Sequence, residues 1–328
     1  MTARVNGSGA GRESAVEVPD ALGGDWVART LTLDPDEIGD EPVATLVRRA
    51  GQPTSRRAAL YVHGFTDYFF QVEHAQTWLD HGVDFYALDL RRNGRSLRPD
   101  QPAGDVRDLR TYGEEISRSL AILREDHDQV VLIGHSMGGL VTALFVHDHP
   151  GAVTALVLNN PWFGLNEPMI LRAGGRAIAE VVTRVDPRRV VGRLRSDYGR
   201  ALHASTGGTW TYDLAWKPLE GFPVRAGWLR AVLRGQARLF QGLAIDVPVL
   251  LCTSTRSGGI AGRKPVEAEI LGTDIVLDVR DAWRGAQHLG ADVTIHAIPG
   301  SVHDLALSAP RPRDDYVRAI FGWLDTRL

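Results

Sequence analysis

Four short, evenly apolar runs in the first half of the chain constrain its fold more than any other feature: AALYVHGF (58–65), VDFYALDL (83–90), QVVLIGHS (129–136) and VTALVLNN (153–160). Each lacks the polar face of an amphipathic helix and suits a strand covered on both sides. Helical patterns separate them. In DVRDLRTYGEEISRSLAILREDH, Leu109, Tyr112, Ile116, Leu120 and Leu123 recur at three- and four-residue steps, placing one apolar stripe opposite the charges. MGGLVTALFVHDHP is apolar all round and stops at His149-Pro150-Gly151, as a helix roofed by other elements does. The alternation resumes with VPVLLCTS (247–254), VRDAWRGAQHLG (279–290), DVTIHAIPG (292–300) and DDYVRAIFGWLDTRL (314–328). Two earlier runs, WVARTLTL (26–33) and PVATLVRR (42–49), read as an antiparallel edge hairpin. The pattern predicts an α/β fold: a doubly wound, eight-stranded, mostly parallel sheet with right-handed crossovers.

One interval breaks this rhythm. Residues 161–245 carry helical stretches, several Gly and Pro and no obvious buried strand, and read as an inserted helical cap between core segments 21–160 and 246–328, after an unstructured start over 1–20. The cap holds thirteen Lys and Arg against six Asp and Glu, about +7, which leaves the remainder near −10 within a net charge of −3. It also carries Trp162, Trp210, Trp216 and Trp228, half of the eight tryptophans. For any single one, packing within the cap is the ordinary role. Nothing in the overall charge calls for nucleic acid, whose polyanionic backbone demands a concentrated basic face. The single cysteine, Cys252 in PVLLCTS, excludes an internal disulfide and reads as a buried strand residue. No apolar run has the length of a signal peptide core or the roughly 18 to 20 residues of a membrane span, so a cytoplasmic protein is expected.

The chemistry starts at Gly134-His135-Ser136-Met137-Gly138. A glycine two residues either side of a serine, with a strand before and a helix after, is the pattern of a nucleophile elbow. The glycines relieve crowding where a sharp turn brings strand and helix together, and the serine hydroxyl is left at the carboxyl end of the sheet. A serine is a weak nucleophile and requires a base and an orienting acid, later in the chain. His303, in PGSVHDLALS just after the last strand, is the expected base. Asp274 lies 29 residues earlier, with a helix and a strand between, and is the expected acid. Asp278 suits an N-cap of the helix that follows it, and Glu167 is a distant third choice. His147 and His149 in HDHP read as a helix-end pair rather than metal ligands. Donors for a developing oxyanion are expected from the backbone N–H groups of Phe65, after the strand-ending His63-Gly64, and Met137.

Together, HGFTDY, LDLRRNGRS, GHSMGG, TDIVLDV and SVHDLALS make the chain resemble the α/β-hydrolase superfamily, in its branch of monoacylglycerol lipases, lysophospholipases and serine aminopeptidase-like enzymes. The resemblance spans about residues 58–310. It implies a serine hydrolase with triad Ser136, Asp274 and His303, without metal or organic cofactor. Two departures stand out: Arg92 replaces a glycine usual in the LDLRRNGRS turn, and the stretch 255–272 puts an unusual length of chain between strand and acid. The expected substrates are carboxylic esters with an apolar acyl group, monoacylglycerol- or lysophospholipid-like, held under the cap. An aminopeptidase or amidase on the same triad is the alternative, and a catalytically silent binding protein a third. The cap's arginine excess suggests weak contact with anionic lipid surfaces.

Overall fold

All eight apolar runs become strands of one sheet in the computed structural model, which describes residues 16–164, 180, 182–193, 195–259 and 263–328. In chain order the strands are β1 (Val18–Pro19), β2 (Trp26–Thr32), β3 (Val43–Arg49), β4 (Arg57–Val62), β5 (Asp84–Asp89), β6 (Gln129–His135), β7 (Ala155–Asn159), β8 (Val190–Arg193), β9 (Pro223–Arg225), β10 (Val249–Ser254) and β11 (Val293–Ile298). Nine of them form the main sheet, in the order β1-β2-β3-β5-β4-β6-β7-β10-β11. The pairs from β1 through β3 to β5 are antiparallel and the rest parallel.

The ninth strand corrects the expected eight, and its residues fall within the start expected to be unstructured. Val18–Pro19 pairs with β2, and Asp20 beside it is buried against the Arg95 guanidinium. Residues 1–15 lie outside the described set. A two-residue strand carries no periodic signal, so the pattern could not reveal it.

Side chains alternate between the two faces of the strands and define two cores. One face, with Leu60, Leu88, Leu132 and Leu156, is covered by α2 (Gly113–Leu123), α3 (Met137–Asp148) and α5 (Val279–Ala286). The other, with Ala59, Tyr61, Val131 and Ile133, is covered by α1 (Val72–Asp80) and α6 (Pro310–Leu324). The stripe read from α2 is buried as expected, and Cys252 is fully buried in β10. At the centre β4 lies between β5 and β6, so the chain leaves β4 toward one face, into α1, and leaves β6 toward the other, into α3. Such a switch point opens a crevice at the carboxyl ends of the strands, where ligands bind in open α/β sheets.

The cap interval is not purely helical. It also carries an antiparallel ribbon of β8, which is exposed, and β9, whose Val224 is buried, two short strands that the helical reading of this interval left out. Its long helix, α4 (Ala226–Phe240), packs against α3, and Arg238 on it pairs with Asp148. The HDHP end of α3 is spent on this docking: His147 Nδ1 accepts from Ala244 N–H at 2.9 Å, and His149 stacks on Phe145. Pairs within the cap, such as Arg195 with Asp197 and Arg200 with Glu220, leave its basic excess unchanged, whereas Lys217 with Asp67 and Arg238 with Asp148 offset part of it with core carboxylates.

Arg92 sits at φ 61°, the left-handed region that a glycine enters freely. Its side chain is fully buried and forked onto Asp36 and Asp40, so ion pairs compensate an unfavourable backbone. No helix among the described residues is long and apolar enough to cross a membrane.

Candidate active site

Ser136 lies between β6 and α3 at φ 54° and ψ −117°, a conformation costly for any side-chain-bearing residue. Neighbouring contacts hold it there. Its N–H donates to Asn159 O at 3.0 Å, and its carbonyl accepts from Gly139 N–H at 3.0 Å and Trp162 N–H at 2.9 Å. The glycines are required by space. A Cβ on Gly134 would lie 2.2 Å from Thr142 Oγ1, and one on Gly138 would lie 2.4 Å from the carbonyl oxygens of both Val62 and His63. Strand and helix therefore meet at backbone contact, and the turn has no room to relax.

The loop after β4 runs alongside. Gly64 comes so close that a Cβ there would meet Ser136 Cβ at 3.1 Å. His63 is fully buried, and Leu90 N–H donates to its Nε2 at 3.0 Å. The ring proton is thereby fixed on Nδ1, which donates to Gly64 O at 2.7 Å and sets the direction of the following peptide. Phe65 N–H has no acceptor among the described residues, and Met137 N–H, first in α3, has no acceptor one helical turn back. Both are unspent donors beside Ser136.

His303 reaches the same cleft from the loop after β11, and its Nδ1 lies 2.8 Å from Asp274 Oδ2. A carboxylate accepts there, so the proton sits on Nδ1 and Nε2 keeps its lone pair. Asp274 is fully buried, with its other oxygen accepting from Val276 and Leu277 N–H at 2.8 Å each. The long excursion before it closes on itself: Asp274 N–H donates to Arg256 O, and Gly258 N–H donates to Asp274 O. Asp274 is thus pinned to the end of β10, and its separation in sequence overstates its separation in space. Asp278 takes the capping position instead, accepting from Arg280 N–H at 3.0 Å. Burial pushes its carboxyl up, but the Arg280 guanidinium and N–H hold it below the usual range. Glu167 lies outside the described residues.

Under the two loops is a polar floor that sequence reasoning missed. Asp304 is buried, with its carboxylate accepting from Asn159 Nδ2 at 2.8 Å and Gln71 Nε2 at 3.0 Å. Burial works to raise it, while His135 alongside and these donors hold it below the carboxylate range. Burial lowers His135, which stays neutral at pH 7. Asp67 pairs with Lys217 of the cap interval. Asp67, His135 and Asp304 bring potential ligand atoms within 4.8 Å of one another, but Lys217, Gln71 and Asn159 already occupy the carboxylates. Asn160 Nδ2 donates to His303 O at 2.6 Å. The signal was present in the paired asparagines at the carboxyl end of β7 and in the His303-Asp304 pair on the loop after β11.

Ser136, His303, Gly64 and Phe65 line one cavity of about 470 Å³. Its apolar wall includes Phe65, Trp162, Trp228, Leu229, Ile275 and Leu277, with Phe65 stacked on Trp228 at 3.9 Å between centroids. Its polar end holds Asp67, Tyr198 and Lys217. Of the four cap tryptophans, Trp162 and Trp228 line the cavity, whereas Trp210 and Trp216 pack in a separate cluster with Tyr68 and Phe70.

A family model described as Serine aminopeptidase, S33 (Hydrolase_4) matches residues 53–258, more than half of the chain. The chain belongs to this family. Among curated relatives, a monoacylglycerol lipase of Mycolicibacterium smegmatis is 28% identical over 148 residues, 43% of this chain and 50% of that one. A (lyso)-N-acylphosphatidylethanolamine lipase of Bos taurus is 32% identical over 125 residues, 36% of this chain and 35% of that one. The matches thus span half or less of these relatives. Among solved structures, the monoacylglycerol lipase of Paleococcus ferrophilus superposes with a TM-score of 0.62 at 17% identity, covering 93% of this chain and all of that one. A monoglyceride lipase variant from Saccharomyces cerevisiae gives 0.63 at 15% identity, covering 92% of each. The fold is that of the α/β-hydrolases.

Proposed function

We propose that this chain is a serine hydrolase that cleaves carboxylic esters with an apolar acyl group, of monoacylglycerol or lysophospholipid type, through an acyl-enzyme on Ser136. The observation that carries the reading is the 2.8 Å contact of His303 Nδ1 with Asp274, which leaves the basic Nε2 on a ring lining the same cavity as Ser136. In this reading His303 takes the proton of Ser136 as the hydroxyl attacks the acyl carbon. Asp274 fixes the tautomer and stabilises the imidazolium, and the proton passes on to the leaving alcohol. Water then repeats the sequence on the acyl-enzyme. The N–H groups of Phe65 and Met137 receive the developing oxyanion, where one donor is worth about 3 kcal/mol. No step calls for a metal or organic cofactor.

Residues 161–245 act as the cap over core segments 21–160 and 246–328, and the apolar wall that it shares with the core takes the acyl chain. An aminopeptidase on the same triad needs a carboxylate free to hold the substrate's ammonium group. Asp67 and Asp197 line the cavity, but Lys217 and Arg195 already pair with them, which favours the ester.

The test has two parts. A fluorophosphonate is expected to label wild type and not Ser136→Ala, and p-nitrophenyl butyrate and longer esters to be turned over only by wild type. Preference for aminoacyl anilides over matched esters would displace the esterase reading. Absence of both label and turnover in wild type would favour a silent binding protein.

A further inference from the structure

The peptide that joins His303 to Asp304 is held at both ends by groups from different parts of the fold. Its carbonyl, that of His303, accepts from Asn160 Nδ2 at 2.6 Å, on the core side. Its N–H, that of Asp304, donates to the hydroxyl oxygen of Tyr198 at 2.9 Å, and Tyr198 belongs to the cap interval. The same phenol ring stands edge-on to the His303 imidazole, with centroids 5.7 Å apart and planes at 83°. Burial, with the Asp304 carboxylate nearby, pushes the phenol well above its usual range, so the hydroxyl stays protonated.

We infer that Tyr198 is a positioning residue for His303: its hydroxyl fixes the peptide plane that orients the imidazole and its ring bounds the imidazole's face, so that seating of the cap is a condition for an assembled base.

The surrounding contacts make this seating firm. The stretch from 198 to 222 is tied to both loops that build the site. Trp210 Nε1 donates to Leu307 O at 2.9 Å on the His303 loop. On the loop after β4, Asp213 N–H donates to Tyr68 Oη at 2.7 Å, Phe222 N–H donates to Thr66 Oγ1 at 2.9 Å, and Lys217 pairs with Asp67. This stretch is therefore a fixed wall that braces the base and the oxyanion loop together. Tyr198 is its one member whose ring meets the imidazole among these contacts. Freeing one end of the peptide lets the plane rock, and a displacement near 1 Å at a reacting group lowers rate by up to about 10²-fold.

The inference rests on the Ser136, Asp274 and His303 reading, and the experiment separates the two. The Tyr198→Phe variant keeps the ring and removes the acceptor. Its kcat on p-nitrophenyl butyrate is expected to fall by about tenfold or more with KM within about twofold, and its rate of fluorophosphonate labelling to fall in parallel. The downfield proton resonance of His303 Nδ1 is expected to shift or broaden. Tyr86→Phe, which removes a buried hydroxyl bonded to His127 Nε2 at 2.9 Å outside this cavity, is the control for loss of a phenol hydroxyl and is expected to keep kcat within about threefold of wild type. Wild-type kcat and an unmoved resonance in Tyr198→Phe would overturn the inference, as would an equal loss in Tyr86→Phe. If the phenylalanine variant does not fold, Tyr198→Leu, which is smaller and also lacks the acceptor, is expected to show at least the same loss of kcat, and wild-type kcat there would overturn the inference. Wild-type turnover by His303→Ala would instead sink the triad reading itself.

Discussion

Replacing Asp274 by Asn is expected to lower kcat by about 10⁴, near 5 kcal/mol of transition-state stabilisation, while leaving the fold intact. The geometry dictates the direction. One oxygen of Asp274 accepts from Val276 and Leu277 N–H at 2.8 Å each, and the other accepts from His303 Nδ1 at 2.8 Å. In the Asp274→Asn variant the single remaining oxygen stays on the two backbone donors. Turning the new NH₂ toward them would forfeit both bonds, each worth about 1 kcal/mol, and set donor against donor in a buried place. The NH₂ therefore faces His303 Nδ1, which must become an acceptor, and the ring proton moves to Nε2. Such an imidazole cannot take the proton of Ser136. Steady-state hydrolysis of p-nitrophenyl butyrate measures the loss, with a thermal melt to show that the variant is folded. Asp278→Asn is the internal control. It keeps an acceptor for Arg280 N–H but loses the charge, so activity within about twofold of wild type and at most about 1 kcal/mol of stability are expected. A kcat for Asp274→Asn within about tenfold of wild type, or a larger loss for Asp278→Asn, would refute the assignment of the acid.

Two further expectations concern stability. Gly138→Ala places a methyl 2.4 Å from two backbone oxygens and should cost about 2 kcal/mol or more, whereas Gly322→Ala, in α6 with nothing within 4 Å, should gain about 0.5–1 kcal/mol; urea midpoints of opposite shift check both. His74 is buried among Trp78, Phe85 and Tyr316, and burial lowers it from 6.5 to about 4. The unfolded chain therefore binds a proton between those values that the folded one does not. Stability is full above pH 6.5 and falls as the pH drops toward 4, by about 2 kcal/mol between pH 7 and 5 for this group alone. The His74→Gln variant should show a fall smaller by that amount in urea unfolding at the two pH values; an unchanged slope would remove His74 as the cause.

The nucleophile elbow, the strand-ending His63-Gly64 and the N-cap at Asp278 were legible because each is a local arrangement. Gly134 and Gly138 are needed by contacts that any strand-turn-helix of this kind must make, and Asp278 caps a helix that starts at the next residue. The candidate acid was legible only in outline. Asp274 looked distant from β10 because eighteen residues intervene at 255–272, and the bonds to Arg256 and Gly258 that bring it back join backbone groups, which leave no side-chain signature. Arg92 at a glycine's position was visible as a departure, but its compensation by Asp36 and Asp40 was not, because those partners lie more than fifty residues earlier.

The sequence by itself determined the alternating sheet and the sharp turn at Ser136, since hydrophobic periodicity and glycine placement act between near neighbours, and it offered His303 and Asp274 as candidate base and acid. Only the tertiary structure decided which polar groups brace them: Asn160 and Tyr198 on the His303–Asp304 peptide, Lys217 on Asp67, and Gln71 and Asn159 on Asp304. These partners are separated by more than a hundred residues and come from different strand ends and the cap. Strand order and loop paths bring them together, and no local period in the chain encodes either.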